Sequence, residues 1–97
     1  MRLRFSAAAR RHIESIFEFL VQRNPAAAGR VVTEIRASAR LLIEFPHMGR
    51  AGEVAGTREW VVRGSPYLIV YEINTAGAEI WVLGVFHGAR NWQERSK

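Results

Sequence analysis

Proline at position 25 cuts one long helical pattern into two, and that break decides which topologies the N-terminal half of the chain can adopt. A proline disfavours helical geometry in the residue before it but suits the first position of a new helix. Asn24 therefore reads as a cap between two helices that meet at a sharp turn. Before the break, Ile13, Ile16, Phe17 and Leu20 recur at three and four residues, while Arg10, Arg11, Glu14, Glu18 and Gln22 fall on the other sides. Ser6 stands where this helix needs its N-cap, without the Glu or Gln three residues later that completes a capping box. Arg2 to Phe5 alternates polar with apolar and reads as a short strand. After the break, Ala28, Val32, Ile35, Ala39 and Leu42 form a second stripe flanked by Val31 and Ile43, which ends near Phe45-Pro46, where the proline ring cannot continue a helix. The product is a helical hairpin.

From position 47 to 56 neither periodicity holds and glycines stand at 49, 52 and 56, which predicts a surface loop. Three strand-like segments follow: Thr57 to Arg63, Tyr67 to Asn74 and Glu79 to His87. Gly64-Ser65-Pro66 joins the first two and a short turn containing Gly77 joins the last two, the spacing of an antiparallel meander. Ile80 to Phe86 is apolar throughout apart from Gly84, as in a strand covered on both faces, whereas Thr57 to Arg63 alternates. Helices followed by strands predict an α+β domain: a short N-terminal strand and a helical hairpin packed on a C-terminal antiparallel sheet. If the other face of that sheet is partly open, it forms a concave platform bordered by polar strand ends.

A chain of 97 residues, 48% of them hydrophobic, encloses one core, so a single domain over 1–97 is expected. Cysteine and aspartate are both absent, which removes disulfides, thiolate zinc sites and cysteine nucleophiles. Nine Glu and three scattered His supply no HExxH, paired-carboxylate or calcium-loop motif, so neither metal nor cofactor is expected. Without a secretory signal or long apolar run, the expectation is a cytoplasmic protein with no membrane partner. The net charge of +5 comes from thirteen Arg and one Lys, a field suited to nucleic acid or an acidic protein segment, although a GC-rich genome also writes arginine at solvated positions.

Several local words narrow the class further. Asn24-Pro25-Ala26-Ala27-Ala28, Phe45-Pro46-His47-Met48-Gly49-Arg50, Gly56-Thr57-Arg58-Glu59, Pro66-Tyr67-Leu68-Ile69-Val70-Tyr71 and His87-Gly88-Ala89-Arg90-Asn91-Trp92 occur in an order and spacing that resembles the RelE/ParE toxins over nearly the whole chain. The resemblance implies a toxin of a type II toxin–antitoxin system, held inactive by a cognate antitoxin in a hetero-oligomer. RelE-like members cut mRNA in the ribosomal A site; ParE-like members inhibit DNA gyrase.

For RNA cleavage, a 2′-oxygen attacks its neighbouring phosphate, which requires a proton acceptor, cations around the phosphate and an acid for the leaving oxygen. Glu53 and His87 are the candidate proton carriers, Arg58, Arg63 and Arg90 the candidate cations, and Tyr67 and Tyr71 the rings on which a base would stack. Two departures weigh against this branch: Leu68-Ile69-Val70-Tyr71 lacks the Arg that such relatives place in the middle strand, and the Lys cluster of RelE is missing. The ParE resemblance implies instead an inhibitor with no chemistry of its own and a target surface of Arg50, Arg58, Arg63, Tyr67, Tyr71, His87, Arg90 and Trp92. DNA gyrase is then the expected target, the ribosome and its mRNA the runner-up, and a basic nucleic-acid-binding module the non-toxin alternative. Ile16, Leu20, Val31 and Ile43, at the margins of the helical stripes, are the candidate antitoxin contacts.

Structural roles compete with each of these. Trp60 and Trp81 suit sheet packing, and Tyr67 and Tyr71 suit the core with hydroxyls at its rim. Arg58 and Glu59 face opposite ways on a regular strand and need separate partners, Arg58 a strand-end carbonyl or Glu72. His87 can serve as a hydrogen-bonded strand end, and Trp92 as a lid or an exposed anchor.

Overall fold

The computed structural model describes residues 1–88. Strand β1 (Arg2–Phe5) leads into α1 (Ala7–Arg23) and α2 (Pro25–Glu44), followed by β2 (Arg50–Ala51), β3 (Arg58–Val61), β4 (Tyr67–Asn74) and β5 (Glu79–His87). The Ser6 hydroxyl accepts from Ala9 N–H at 3.0 Å and the Asn24 side chain from Ala27 N–H at 3.2 Å, so both helices start on the caps read from sequence. Pro25 occupies the first turn of α2, where its missing N–H costs nothing.

The five strands lie in the order β1-β5-β4-β3-β2. The meander β3-β4-β5 is antiparallel as expected, but β1 runs parallel to β5, pairing Arg2 with Glu79 through Phe5 with Val82. The sheet is therefore mixed, because the hairpin carries the chain across one face and brings β1 and β5 side by side in the same direction. The loop expected over 47–56 also contains β2, which pairs Arg50 with Glu59 and Ala51 with Arg58. Two residues are too few to show a period-two pattern in sequence. β3 is shorter than the expected Thr57–Arg63, since Val62 N–H already closes the turn onto Tyr67 C=O at 2.8 Å.

The helices pack on one face of the sheet around Ile13, Ile35, Leu42, Ile69, Tyr71, Ile80 and Val82. The opposite face carries a smaller cluster of Leu68 and Val70 with Phe86. Between them the register slips: Val70 pairs with Gly84, and Tyr71 with Val82, leaving Leu83 as an extra residue in β5. That bulge explains why Val82 and Val85, three apart, both enter the main core, and why an unbroken apolar run reads as buried on both sides.

β1 ends opposite Val82, so the second half of β5 has no strand on that side. α1 takes the place of one. Ser6 N–H donates to Val82 C=O at 2.9 Å, the Ser6 hydroxyl donates to Leu83 C=O at 3.0 Å, and Val85 N–H donates to His12 Nδ1 at 3.2 Å. Main-chain groups of this edge that would otherwise face another strand are thereby paired with the Ser6 N–H and hydroxyl and the His12 ring.

Candidate functional site

The expected target residues divide between the two ends of β4. At one end, β2 and β3 bring Arg50, Arg58 and Glu59 beside Tyr71. The Tyr71 ring is fully buried, and its hydroxyl donates to Pro46 C=O at 2.6 Å and accepts from Gly49 N–H at 3.1 Å. Burial pushes its pKa up, against smaller opposing effects of the Gly49 N–H and the Arg58 guanidinium, so the phenol stays neutral. Arg58 Nη1 donates to the carbonyls of Gly49 at 2.6 Å and His47 at 3.4 Å. Arg50 Nε and Nη2 both donate to Glu59 Oε1, at 3.2 and 2.9 Å. Arg58 and Glu59 thus take separate partners on opposite faces of β3, and Arg58 finds carbonyls rather than Glu72.

This arrangement corrects three expectations. Tyr71 presents no ring face for a base, because it lies in the core. Arg58 is tied to backbone carbonyls. Arg50 is not a cation left free at a strand exit: its fork is closed on Glu59, a residue only 3% exposed. Together the three side chains fasten the segment after α2 to the sheet.

At the other end of β4, Tyr67 pairs with His87, and their rings meet edge to face at 5.8 Å and 75°. Tyr67 lies four positions before Tyr71, roughly 13 Å along the strand, and the groove that Tyr67 and His87 line includes neither Tyr71 nor Arg50 or Arg58. Tyr67 is buried, while Arg63 is exposed in the turn beside it. Tyr67 and His87 line an open groove of about 300 Å³ with Ser15, Ile16 and Phe19 of α1 and His12. Burial, and secondarily Arg11, pulls the His12 pKa below its ordinary value, consistent with an Nδ1 that accepts the Val85 N–H. Glu53 is exposed in the turn between β2 and β3. Arg90 and Trp92 lie outside the described residues.

On the hairpin, Ile16, Leu20, Val31 and Ile43 are each only half exposed, and Ile16 and Val31 pack against the core. The large apolar side chains left exposed there are Phe17, Phe19, Val21, Leu41 and Phe45, of which Phe19 and Phe45 are more than half accessible. Phe17 joins Ile13 and Val32 in a cleft of about 220 Å³ between the helices, rimmed by Glu14, Glu18 and Arg36. The three- and four-residue spacing puts Phe17 on the same stripe as Ile13, Ile16 and Leu20; the structure corrects this, leaving Phe17 41% exposed at the edge of that stripe. His12 was not singled out from sequence, and nothing local marks it, because its partner Val85 is 73 positions away.

Among the described residues no group of three or more His, Cys, Asp or Glu is placed to hold a metal ion, and no helix is long and apolar enough to cross a membrane.

Comparisons with known proteins place this architecture. The sequence model described as the ParE toxin of the type II toxin–antitoxin system parDE matches residues 3–92. Y4kP of Sinorhizobium fredii, described as a candidate toxin, is 33% identical over 93 residues, covering 96% of this chain and 94% of the relative. The chromosomal ParDE toxin–antitoxin structure from P. aeruginosa superposes with a TM-score of 0.80 at 23% identity, covering 90% of this chain and 95% of that one. The intact E. coli RelBE toxin–antitoxin complex gives 0.69 at 15% identity, over 92% of this chain and 98% of that one. Such structural matches, at these identities, speak for the fold.

Proposed function

The chain belongs to the ParE toxin family of type II toxin–antitoxin systems, and from that premise we propose that it arrests growth by binding DNA gyrase rather than by cutting RNA. The observation that carries this reading is the engagement of Arg58. A phosphate undergoing attack by a neighbouring 2′-oxygen gathers negative charge, and only cations aimed at it lower the barrier. Arg58 Nη1 is held by two backbone carbonyls, Arg50 by Glu59, and Tyr71 is buried between Pro46 and Gly49. His87, the proton carrier of the cleavage reading, sits at the far end of β4 from these groups. A contact inhibitor needs no such assembly, only a shaped, basic surface; Arg63 and His87, near the turn that joins β3 to β4, belong to it in this reading.

The partner that holds the protein inactive is a cognate antitoxin. Its apolar residues cover Phe17 and Val21 on α1 and enter the cleft between the helices, in the helix-in-groove manner. A net charge of +5 favours an acidic partner segment and fast association.

The test is a supercoiling and DNA-cleavage assay with purified gyrase, run beside a translation reaction in which mRNA integrity is followed. Inhibited supercoiling with intact mRNA is the expected result. Active gyrase together with ribosome-dependent cutting of the message would transfer the protein to the cleavage branch.

A further inference from the structure

Arg50 and Arg58 are engaged internally, but three other arginines gather elsewhere on the surface. Arg4 of β1, Arg10 of α1 and Arg36 of α2 converge on a groove of about 410 Å³ whose remaining walls are Leu3, Phe5 and Trp81. These residues come from four elements, and β1, which contributes half of them, is the terminal strand of the sheet. Among the described residues neither Arg10 nor Arg36 makes an ion pair or a side-chain hydrogen bond, unlike Arg50 and Arg58. Arg36 also borders the cleft that holds Glu14 and Glu18, and beside Arg4 stands Glu79. Its Oε2 meets Arg4 Nε at 3.7 Å while its Oε1 accepts from Trp81 Nε1–H at 3.1 Å, so Arg4 is partly paired and, among the described residues, Arg10 and Arg36 are the groove's cations without an ion pair.

Two of these guanidiniums lie over aromatic rings. Arg4 Cζ is 5.7 Å from the Trp81 ring centre and Arg36 Cζ is 5.8 Å from that of Phe5. The groove thus presents the same unit twice, a cation beside a flat apolar surface, with Arg10 as a third cation. A single nucleic-acid strand repeats the complementary unit, an anionic phosphate beside a flat base. Guanidinium forks match phosphate oxygens in pairs, and a ring face accepts any base. An acidic polypeptide offers charge without the alternating flat partner, so the ring and cation pairs favour the nucleotide.

We propose that the groove formed by Arg4, Arg10, Arg36, Phe5 and Trp81 binds single-stranded nucleic acid through its sugar–phosphate backbone, without sequence preference. This goes beyond the gyrase reading and is independent of it, since it is tested on bare oligonucleotide.

The probe is a fluorescein-labelled twelve-residue oligothymidylate titrated with the full chain, followed by anisotropy at several salt concentrations. Three phosphate contacts predict that affinity falls about 20-fold between 50 and 200 mM salt. The double variant Arg10→Ala, Arg36→Ala should bind more weakly and lose only about threefold over the same range, because a single contact remains. Both positions are exposed, and an unchanged thermal midpoint shows the variant to be folded. Trp81→Leu should lower affinity about fivefold or more at every salt concentration while leaving the salt response intact, the mark of lost stacking. The proposal is overturned if the wild-type chain fails to bind at 50 mM salt, or if the double variant keeps the parental affinity and salt response. It is also overturned if poly-glutamate displaces the probe more effectively than unlabelled oligothymidylate, which would assign the groove to an acidic polypeptide.

Discussion

The N–H of Gly49 donates to the hydroxyl of Tyr71 at 3.1 Å, and the space between the two residues admits no side chain. A Cβ at position 49 would stand 2.6 Å from the Tyr71 oxygen and 2.8 Å from the Glu59 carbonyl oxygen. Gly49→Ala is therefore expected to destabilise the fold by about 1–3 kcal/mol, the usual cost of an overpacked site. Tyr71→Phe removes the donor for Pro46 C=O and the acceptor for Gly49 N–H, and leaving buried groups unsatisfied costs a comparable amount, about 1–3 kcal/mol. Urea unfolding of both variants checks this. A midpoint equal to the parent's in either case would show that the contact is dispensable.

Arg58 belongs to the same fastening and not to a target surface in this reading. Arg58→Ala should lower stability while leaving the potency of gyrase inhibition unchanged when the assay is run well below the melting temperature. Arg50→Ala should cost about 1–3 kcal/mol: Arg50 itself is 74% exposed, but the Glu59 carboxylate it holds is only 2% exposed and loses that charge-assisted partner. Dose-response curves in the supercoiling assay, paired with melting curves, separate the two roles. A folded Arg58→Ala protein with tenfold weaker inhibition would return Arg58 to the interface.

The elements were legible wherever a local pattern carried them. Ser6, Asn24 and Pro25 acted as read, and β4 and β5 run over the residues expected. What escaped depended on residues distant in the chain. β2 is defined by its pairing with β3 rather than by its own two residues, and the parallel docking of β1 depends on a partner 77 positions away. The candidate site was less legible than the fold for a related reason. An arginine in a glycine-rich motif reads the same whether it meets a partner protein or its own backbone. Only the register that sets Arg58 opposite Tyr71, near the Gly49 carbonyl, distinguishes the two. Arg4, Arg10 and Arg36 carry no motif and are joined only by the packing of both helices beside β1.

His12 gives the fold a pH dependence with a defined sign. Its Nδ1 accepts the Val85 N–H only when unprotonated, and burial, followed by Arg11, lowers its pKa from the ordinary 6.5. Below that value the unfolded chain takes up the proton more readily than the folded one. The stabilisation is thus complete above pH 6.5 and declines as the pH falls through 6.5 toward the lower folded-state value. In His12→Asn an amide oxygen replaces the ring acceptor and does not titrate. The difference in thermal midpoint between parent and variant should shift against the parent from pH 8 to pH 5, and parallel curves across that range would remove His12 from the account.

Phe17 and Ile16 are neighbours in sequence with opposite surroundings, and this separates antitoxin binding from folding. Phe17 is exposed beside the cleft with Ile13 and Val32, whereas Ile16 is half-buried against the core. Phe17→Ser removes apolar area from the surface assigned to the antitoxin and leaves the core intact, so the variant should remain folded and still arrest growth. Co-expressed antitoxin should no longer rescue the cells fully, and less of it should co-purify. Ile16→Ala should instead lower stability by about 1–3 kcal/mol, through lost packing. Its growth arrest should weaken before its antitoxin binding does, because a partner that binds only the folded state recovers part of the lost stability. Complete rescue of Phe17→Ser, with unchanged co-purification, would place the antitoxin elsewhere on the chain.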